Sequence, residues 1–240
     1  VDVKKKFFGY QFAVRYLNTD NDDEIRDMFR RLNKYLVPLK PQELRNATYA
    51  GPFVQLTLAL ANNEYWAENR IVTAAAIRRM NDVEYVSELL IGLLHGPQGG
   101  AAAKIDEYYK QYEDYEDEFP DQKRTARLFE QTLARVQELL PNIKKTRWSN
   151  KTDFYTLFVA LGSLFRSNDL VTGKARAVQK EIASLEMEVN TRLADDQHKA
   201  NSDVVTYVRA VEKGANDKKR RADRHDVMVK LLTPFFRPRK

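Results

Sequence analysis

The sequence predicts a mainly α protein, a multi-helix bundle with one short N-terminal β element. Three observations predict it. Apolar residues recur three and four positions apart over most of the chain beyond residue 22. Only FFGYQFAVRYLN, residues 7 to 18, is rich in Phe, Tyr and Val without that period, which is the composition of a strand. Clusters of glycine and proline separate the periodic segments.

Taken in order, the strand-like segment ends at the polar cluster from Asn18 to Asp23 and needs partners, because a lone strand is not stable. Ile25, Met28, Phe29, Leu32 and Leu36 then form one helical stripe with Arg26, Arg30, Arg31, Asn33 and Lys34 on its flanks and back. Pro38 and Pro41 bracket a turn, Pro41 suits the first turn of a new helix, and Gln42 and Glu43 can serve that helix's unpaired amides. The result is a helix-turn-helix hairpin in which Phe29 and Leu32 are expected to be buried. Further stripes follow the Gly51-Pro52 break at Leu56 and Leu60, at Val83, Val86, Leu90, Leu93 and Leu94, at Phe129, Leu133, Val136 and Leu140, and at Phe154, Leu157, Phe158, Leu161 and Phe165. Val171, Ala175, Val178, Ile182, Leu185 and Val189 alternate spacings of four and three, the pattern of a long helix lying along others, and this helix is expected to be the longest. Breaks are expected at His95 to Gly100, Phe119-Pro120, Leu140 to Asn142 and Gly214 to Asp217.

At 240 residues the chain can bury a substantial core. No apolar run approaches the roughly 18 to 20 residues that span a bilayer, and no secretory signal opens the chain, so the cytoplasm is the expected compartment and no membrane partner is expected. With no cysteine there is no disulfide, thiol catalysis or cysteine-based zinc site. His95, His198 and His225 lack ligand partners at metal-binding spacing, and Gly99-Gly100 lacks the Lys-Ser/Thr of a phosphate loop. The net charge is +6, but its placement matters more than its sum. Residues 104 to 121 carry two basic against eight acidic side chains, residues 122 to 151 eight against two, and residues 199 to 240 twelve against five. The tyrosines at 108, 109, 112 and 115 sit among carboxylates rather than cations, so core packing with a wet hydroxyl edge is the better reading than base stacking.

The order F-x-R-x-N, a Pro-Leu turn, Gln-Glu-Leu-Arg-Asn-Ala, an aromatic and Gly-Pro-Phe resembles the second half of the DGQQR-motif proteins. That family contains the GmrSD-type modification-dependent restriction enzymes and has a ParB/sulfiredoxin-like nucleotide-using domain. The matching residues are Phe29, Arg31 and Asn33, then Leu39, Gln42, Glu43, Leu44, Arg45, Asn46, Ala47, Tyr49 and Gly51. A looser match runs through Asn216, Asp217, Arg220, Arg221 and Arg224. No Asp-Gly-Gln-Gln-Arg string occurs and the chain opens at Val1, so it reads as the C-terminal portion of such a protein. The resemblance implies that residues 1 to 53 end a ParB-like α/β core, to which the β element belonged, and that residues 54 to 240 form a helical domain. It also implies an NTP-dependent endonuclease restricting modified or foreign DNA, with NTP and Mg2+ used by the intact protein and none expected in this chain alone. Arg31 and Asn33 would lie at the nucleotide or phosphate site, with Phe29, Glu43, Arg45 and Asn46 supporting it and with Arg31 and Asn33 sharing a polar pocket with the 42 to 49 helix. A missing N-terminal segment or partner chain is implied as well.

DNA is the other expected partner. Lys218, Lys219, Arg220, Arg221 and Arg224 gather at the start of the last helix, where they can meet a phosphate backbone, or one of the arginines can pair with an acid of the bundle. The alternative to the nuclease reading is a non-catalytic helical module that binds DNA or a partner protein through this basic region.

Overall fold

The computed structural model describes residues 2–11, 14, 16, 18, 19, 21–33, 39–113 and 122–239, without the side chains of Asp2, Lys6, Arg30 and Asn33. The chain divides into two compact units, Val1–Leu39 and Lys40–Lys240. The 41 to 53 hairpin residues thus belong to the larger unit, where the sequence placed them with residues 1 to 53.

In the first unit, α1 (Asp2–Phe8) occupies the start of the segment read as a strand, with Phe7 packed edge-on to Phe8. The described residues between 9 and 18 join no strand, and Phe12, Ala13, Arg15 and Leu17 lie outside the described residues. The correction has a simple cause: β preference reflects pairing with a neighbouring strand more than any intrinsic property, and Lys4, Lys5 and Lys6 favour helix before Phe7. Next, α2 (Asp22–Asn33) starts where Asn21 Oδ1 accepts a 3.0 Å bond from the Asp23 amide, with Asp22, Asp23 and Glu24 favourably placed on the positive end of the helix dipole. Met28 and Phe29 are half-buried, but Leu32 is 65% exposed, so the expected burial fails at that position. An apolar stripe is covered only where another surface meets it, and periodicity alone does not specify that surface. Leu36 lies outside the described residues.

The larger unit holds the core. Its elements are α3 (Pro41–Thr48), α4 (Pro52–Ala61), the short α5 (Tyr65–Glu68) and α6 (Ala74–Ile77), then α7 (Asn81–His95), α8 (Ala102–Gln111), α9 (Gln122–Leu139) and α10 (Lys151–Ser167). A strand, β1 (Asn168–Leu170), separates these from α11 (Ala175–Ala194), α12 (Ser202–Glu212) and α13 (Lys218–Leu232), and β2 (Phe236–Pro238) closes the fold. The expectation of a mainly α multi-helix bundle with a short β element holds. The β element lies at the far end of the sequence from the segment read as a strand.

The centre of the bundle is α10, where every residue from Asp153 to Gly162 is buried. A helix apolar on all sides needs neighbours on all sides, and α7, α9 and α13 pack against it. Fully burying each of Phe154, Leu157 and Phe158 stabilises the fold by roughly 1.5–3 kcal/mol. The α7–α10 crossing is close because each helix presents a glycine there: a Cβ on Gly92 would meet Val159 and Tyr155 of α10, and one on Gly162 would meet Leu93 of α7. The end of α7 follows the expected break, with Gly96 in the left-handed region at φ +72° where a side chain would be strained. At 20 residues α11 is the longest helix among those described, with Val178, Ile182, Leu185 and Val189 buried as their spacing predicts. Val171 stands before it, in the turn where its amide donates to the Phe235 carbonyl. That bond extends the antiparallel β1–β2 pair, which ties the C-terminal segment to the end of α10 in the register Asn168–Pro238, Asp169–Arg237 and Leu170–Phe236.

Candidate functional site

The Gln-Glu-Leu-Arg-Asn stretch forms α3, and its polar side chains point to specific partners. Pro41 stands at the first turn, and Glu43 Oε2 accepts a 2.7 Å bond from the Lys40 amide, half of a capping box. Arg79 holds the same carboxylate bidentately, Nε to Oε1 at 2.6 Å and Nη2 to Oε2 at 2.8 Å, and these bonds keep the Glu43 carboxyl below its ordinary pKa.

Arg45 is 2% exposed and the most heavily bonded residue of the hairpin. Its Nε donates to Asp106 at 2.6 Å, Nη1 to Glu84 at 3.1 Å and to Gln42 Oε1 at 3.0 Å, and Nη2 to the Ala102 carbonyl at 2.9 Å. The guanidinium also lies 5.6 Å from the centre of the Tyr109 ring. Gln42 completes a chain of bonds. Its Nε2 donates to the Tyr109 hydroxyl at 2.8 Å, and Ser87 Oγ, 2.7 Å beyond, spends its own proton on the Val83 carbonyl. Tyr109 therefore donates to Ser87, and burial pushes its phenol pKa up. The tyrosine run accordingly packs inward at Tyr109 and Tyr112, while Tyr115 lies outside the described residues. Asn46 Oδ1 is buried with no hydrogen-bond partner among the described residues.

Comparison of the chain with family models, with curated proteins and with solved structures returns no match.

The residues read as a nucleotide site and its support fall in both units. In the first, Arg31 is exposed and engaged by Asp27 at 3.2 Å one turn earlier, Phe29 is half-buried, and the side chain of Asn33 lies outside the described residues. In the second, Glu43 and Arg45 brace α3 against residues of α7, α8 and the segment after α6. The arginine side chains described in the first unit, Arg26 and Arg31, each lie beside carboxylates of their own helix, and Arg45 of the hairpin is taken up in bracing α3. Among the described residues no group of His, Cys, Asp or Glu side chains converges as a metal site.

The basic cluster of α13 divides in two. Lys218 and Lys219 are exposed, and Arg220 lies 3.6 Å from Asp223. Arg221 and Arg224 turn inward. Arg221 bonds Glu88, the Gln98 carbonyl at 3.1 Å and Asn216 at 3.2 Å, and stacks 4.1 Å from the centre of the Tyr155 ring. Arg224 is fully buried and donates to Thr156 at 3.0 Å and to the Ala210 and Ala215 carbonyls at 2.5 and 2.8 Å. The spacing contained this outcome: Arg221, Arg224, Met228 and Leu232 recur at three and four along the buried face of α13. Two of the five residues offered for phosphate contact are thus part of the core.

A different basic surface was not singled out as a site in the sequence. Two adjoining depressions, of about 280 and 600 Å³, share Gln131, Phe165 and Arg239 and run between α9, the end of α10 and β2. Arg124, Arg127, Arg135, Arg166, Arg237 and Arg239 line them, against Glu138 and Asp169. The signal lay in the basic block of residues 122 to 151, where Arg124, Arg127, Gln131 and Arg135 recur at three and four along one helix face. What the sequence could not supply is the return of Arg237 and Arg239 to that face through the β1–β2 pair.

Proposed function

We propose that this chain is the helical portion of an NTP-dependent nuclease that restricts modified or foreign DNA. The observation that carries the proposal is the α3 network. Gln42, Glu43 and Arg45 belong to the stretch that resembles the DGQQR-motif restriction proteins, and all three are bonded into the helical unit. Their supporting role is then mechanical: they fix the start of the helical unit at the point where the chain leaves the segment carrying Arg31. The nucleotide chemistry belongs to the intact protein, completed by an N-terminal segment or partner chain that brings the Asp-Gly-Gln-Gln-Arg residues, with NTP and Mg2+ bound there. Cytoplasmic location goes with this reading, and no helix among the described residues is long and apolar enough to cross a membrane.

Nucleoside triphosphate turnover by the intact protein, with and without DNA, tests the reading. Arg31→Ala is expected to lower turnover without lowering the unfolding temperature, since Arg31 is exposed. An intact protein that neither binds nor hydrolyses any nucleoside triphosphate would remove the enzyme reading. The second reading, a non-catalytic helical module that binds DNA or a partner protein, is favoured by the arginine-lined surface between α9 and β2.

A further inference from the structure

We infer that the groove between α9, the end of α10 and β2 is where this chain grips the phosphate backbone of duplex DNA. The inference rests on the DNA-binding part of the proposed function and relocates it from the start of α13 to this groove. Among the described residues, and leaving Arg124 out of the count, five arginines against two carboxylates leave three positive charges in excess along a surface whose two depressions are contiguous. The carboxylates are already occupied: Glu138 bonds Arg135 at 2.5 Å, and Asp169 bonds Arg239 at 3.1 Å. Arg166 donates to the Leu93 carbonyl, which orients the guanidinium without neutralising it. Arg239 is oriented in the same way by the Phe165 carbonyl at 3.0 Å. Arg127 and Arg237 are exposed, and among the described residues their side chains make no hydrogen bond or ion pair. Excess charge held beside fixed guanidinium groups is the arrangement that neutralises phosphates and releases counterions.

The dimensions agree with a run of phosphates rather than a single one. Arg124 and Arg135 are eleven residues apart on α9, so they span roughly 16 Å at 1.5 Å per residue. Phosphates along one strand of duplex DNA advance about 3.4 Å each along the axis, so that length faces four or five of them. Arg237 and Arg239 extend the surface beyond α9 because β2 pairs with β1 at the end of α10. The excess of arginine is suited to phosphate contact, which carries no sequence information, so binding is expected to be largely indifferent to sequence.

The test measures binding of the full 240-residue chain to two unrelated 20-base-pair duplexes across a salt series. The Arg127→Ala/Arg237→Ala variant should lose at least tenfold in affinity for both duplexes at low salt, with its log-log salt slope shallower by about two. Both side chains are exposed and make no bond among the described residues, so its circular dichroism and unfolding temperature should match the parent's. The Arg127→Lys/Arg237→Lys variant should recover most of the lost affinity, since charge is what matters. Parental affinity and slope in the alanine variant, with the loss appearing instead in Lys218→Ala/Lys219→Ala, would overturn the groove while leaving the DNA reading intact. A parent that binds neither duplex at 50 mM salt would overturn both. Stoichiometric binding of inorganic tripolyphosphate that is abolished by the alanine variant, with no duplex binding, would reassign the groove to a small polyphosphate. None of these outcomes depends on nucleotide turnover, so failure of the groove and failure of the nuclease reading remain distinguishable.

Discussion

Arg45 and Arg224 are both buried arginines, yet they are held differently. Arg45 meets two carboxylates, whereas Arg224 meets a hydroxyl and two backbone carbonyls. Removing Arg45 would leave Asp106, Glu84 and Gln42 without their shared donor, and breaking a buried pair by removing one partner costs about 3–5 kcal/mol. Arg45→Ala is therefore expected to lower the free energy of unfolding by about 3 kcal/mol, the lower end because Asp106 is partly exposed and water can reach it. Arg45→Lys should recover only part of that loss, since one ammonium cannot reach Asp106, Glu84 and the Ala102 carbonyl with the geometry of a planar fork. Denaturant unfolding of the three proteins measures both. An Arg45→Ala protein as stable as the parent would mean that the network contributes nothing net. At this scale the sequence was informative in an uneven way. It marked Glu43 and Arg45 as residues with work to do, but it offered Arg221 and Arg224 first for phosphate contact, and the alternative that one arginine pairs with an acid of the bundle is the one Arg221 and Glu88 fulfil. The spacing of Arg221 and Arg224 with Met228 and Leu232 was the contrary signal, and it is readable only if a charged residue is allowed a place on a buried stripe.

Among the elements, the helices legible in the sequence are those whose stripes meet a partner along their length. The stripes of α7, α9, α10 and α11 each correspond to a buried face, because apolar spacing and burial are two descriptions of one physical fact when a neighbour is present. Residues 7 to 18 and the end of α2 show the converse. Aromatic content suggested a strand and periodicity suggested a buried Leu32, but both depend on a partner surface that local sequence does not specify. The α7–α10 crossing was also illegible, since Gly92 and Gly162 look like weak points in two helices until their contact is seen. Gly162→Ala puts a methyl into Leu93, and overpacking of this kind costs about 1–3 kcal/mol, which outweighs the gain of up to about 1 kcal/mol from replacing glycine inside a helix. With the full gain subtracted, we expect a net loss of up to about 2 kcal/mol on those two magnitudes. Leu93→Ala in the same chain should make the Gly162→Ala change neutral or stabilising, because the clash is with that side chain. Denaturant midpoints for the two single variants and the double variant decide it. Strictly additive losses would show that the helices do not meet as described.

For the whole molecule, the division at residue 39/40 has an energetic basis that net charge and composition do not disclose. Every buried apolar residue among those described lies between Phe53 and Leu232, and the α3 network that begins at Lys40 is bonded to that core. The first unit exposes Val3, Phe7, Phe8, Tyr10, Val14 and Tyr16, so its own burial contributes little. Residues 40–240 should therefore fold without residues 1–39, with a thermal midpoint within about 2 °C of the full chain. For a chain of this size a loss of 1 kcal/mol lowers the midpoint by about 2–4 °C, so a fall of more than about 8 °C would mean that the first unit supplies at least 2 kcal/mol. The shorter chain should also be less prone to self-association, because removing residues 1–39 removes most of the large exposed apolar side chains among the described residues. Sedimentation of the two proteins at equal concentration would measure it. Greater association of residues 40–240 would reverse the inference, because it would mean that the first unit covers apolar surface of the second rather than exposing its own.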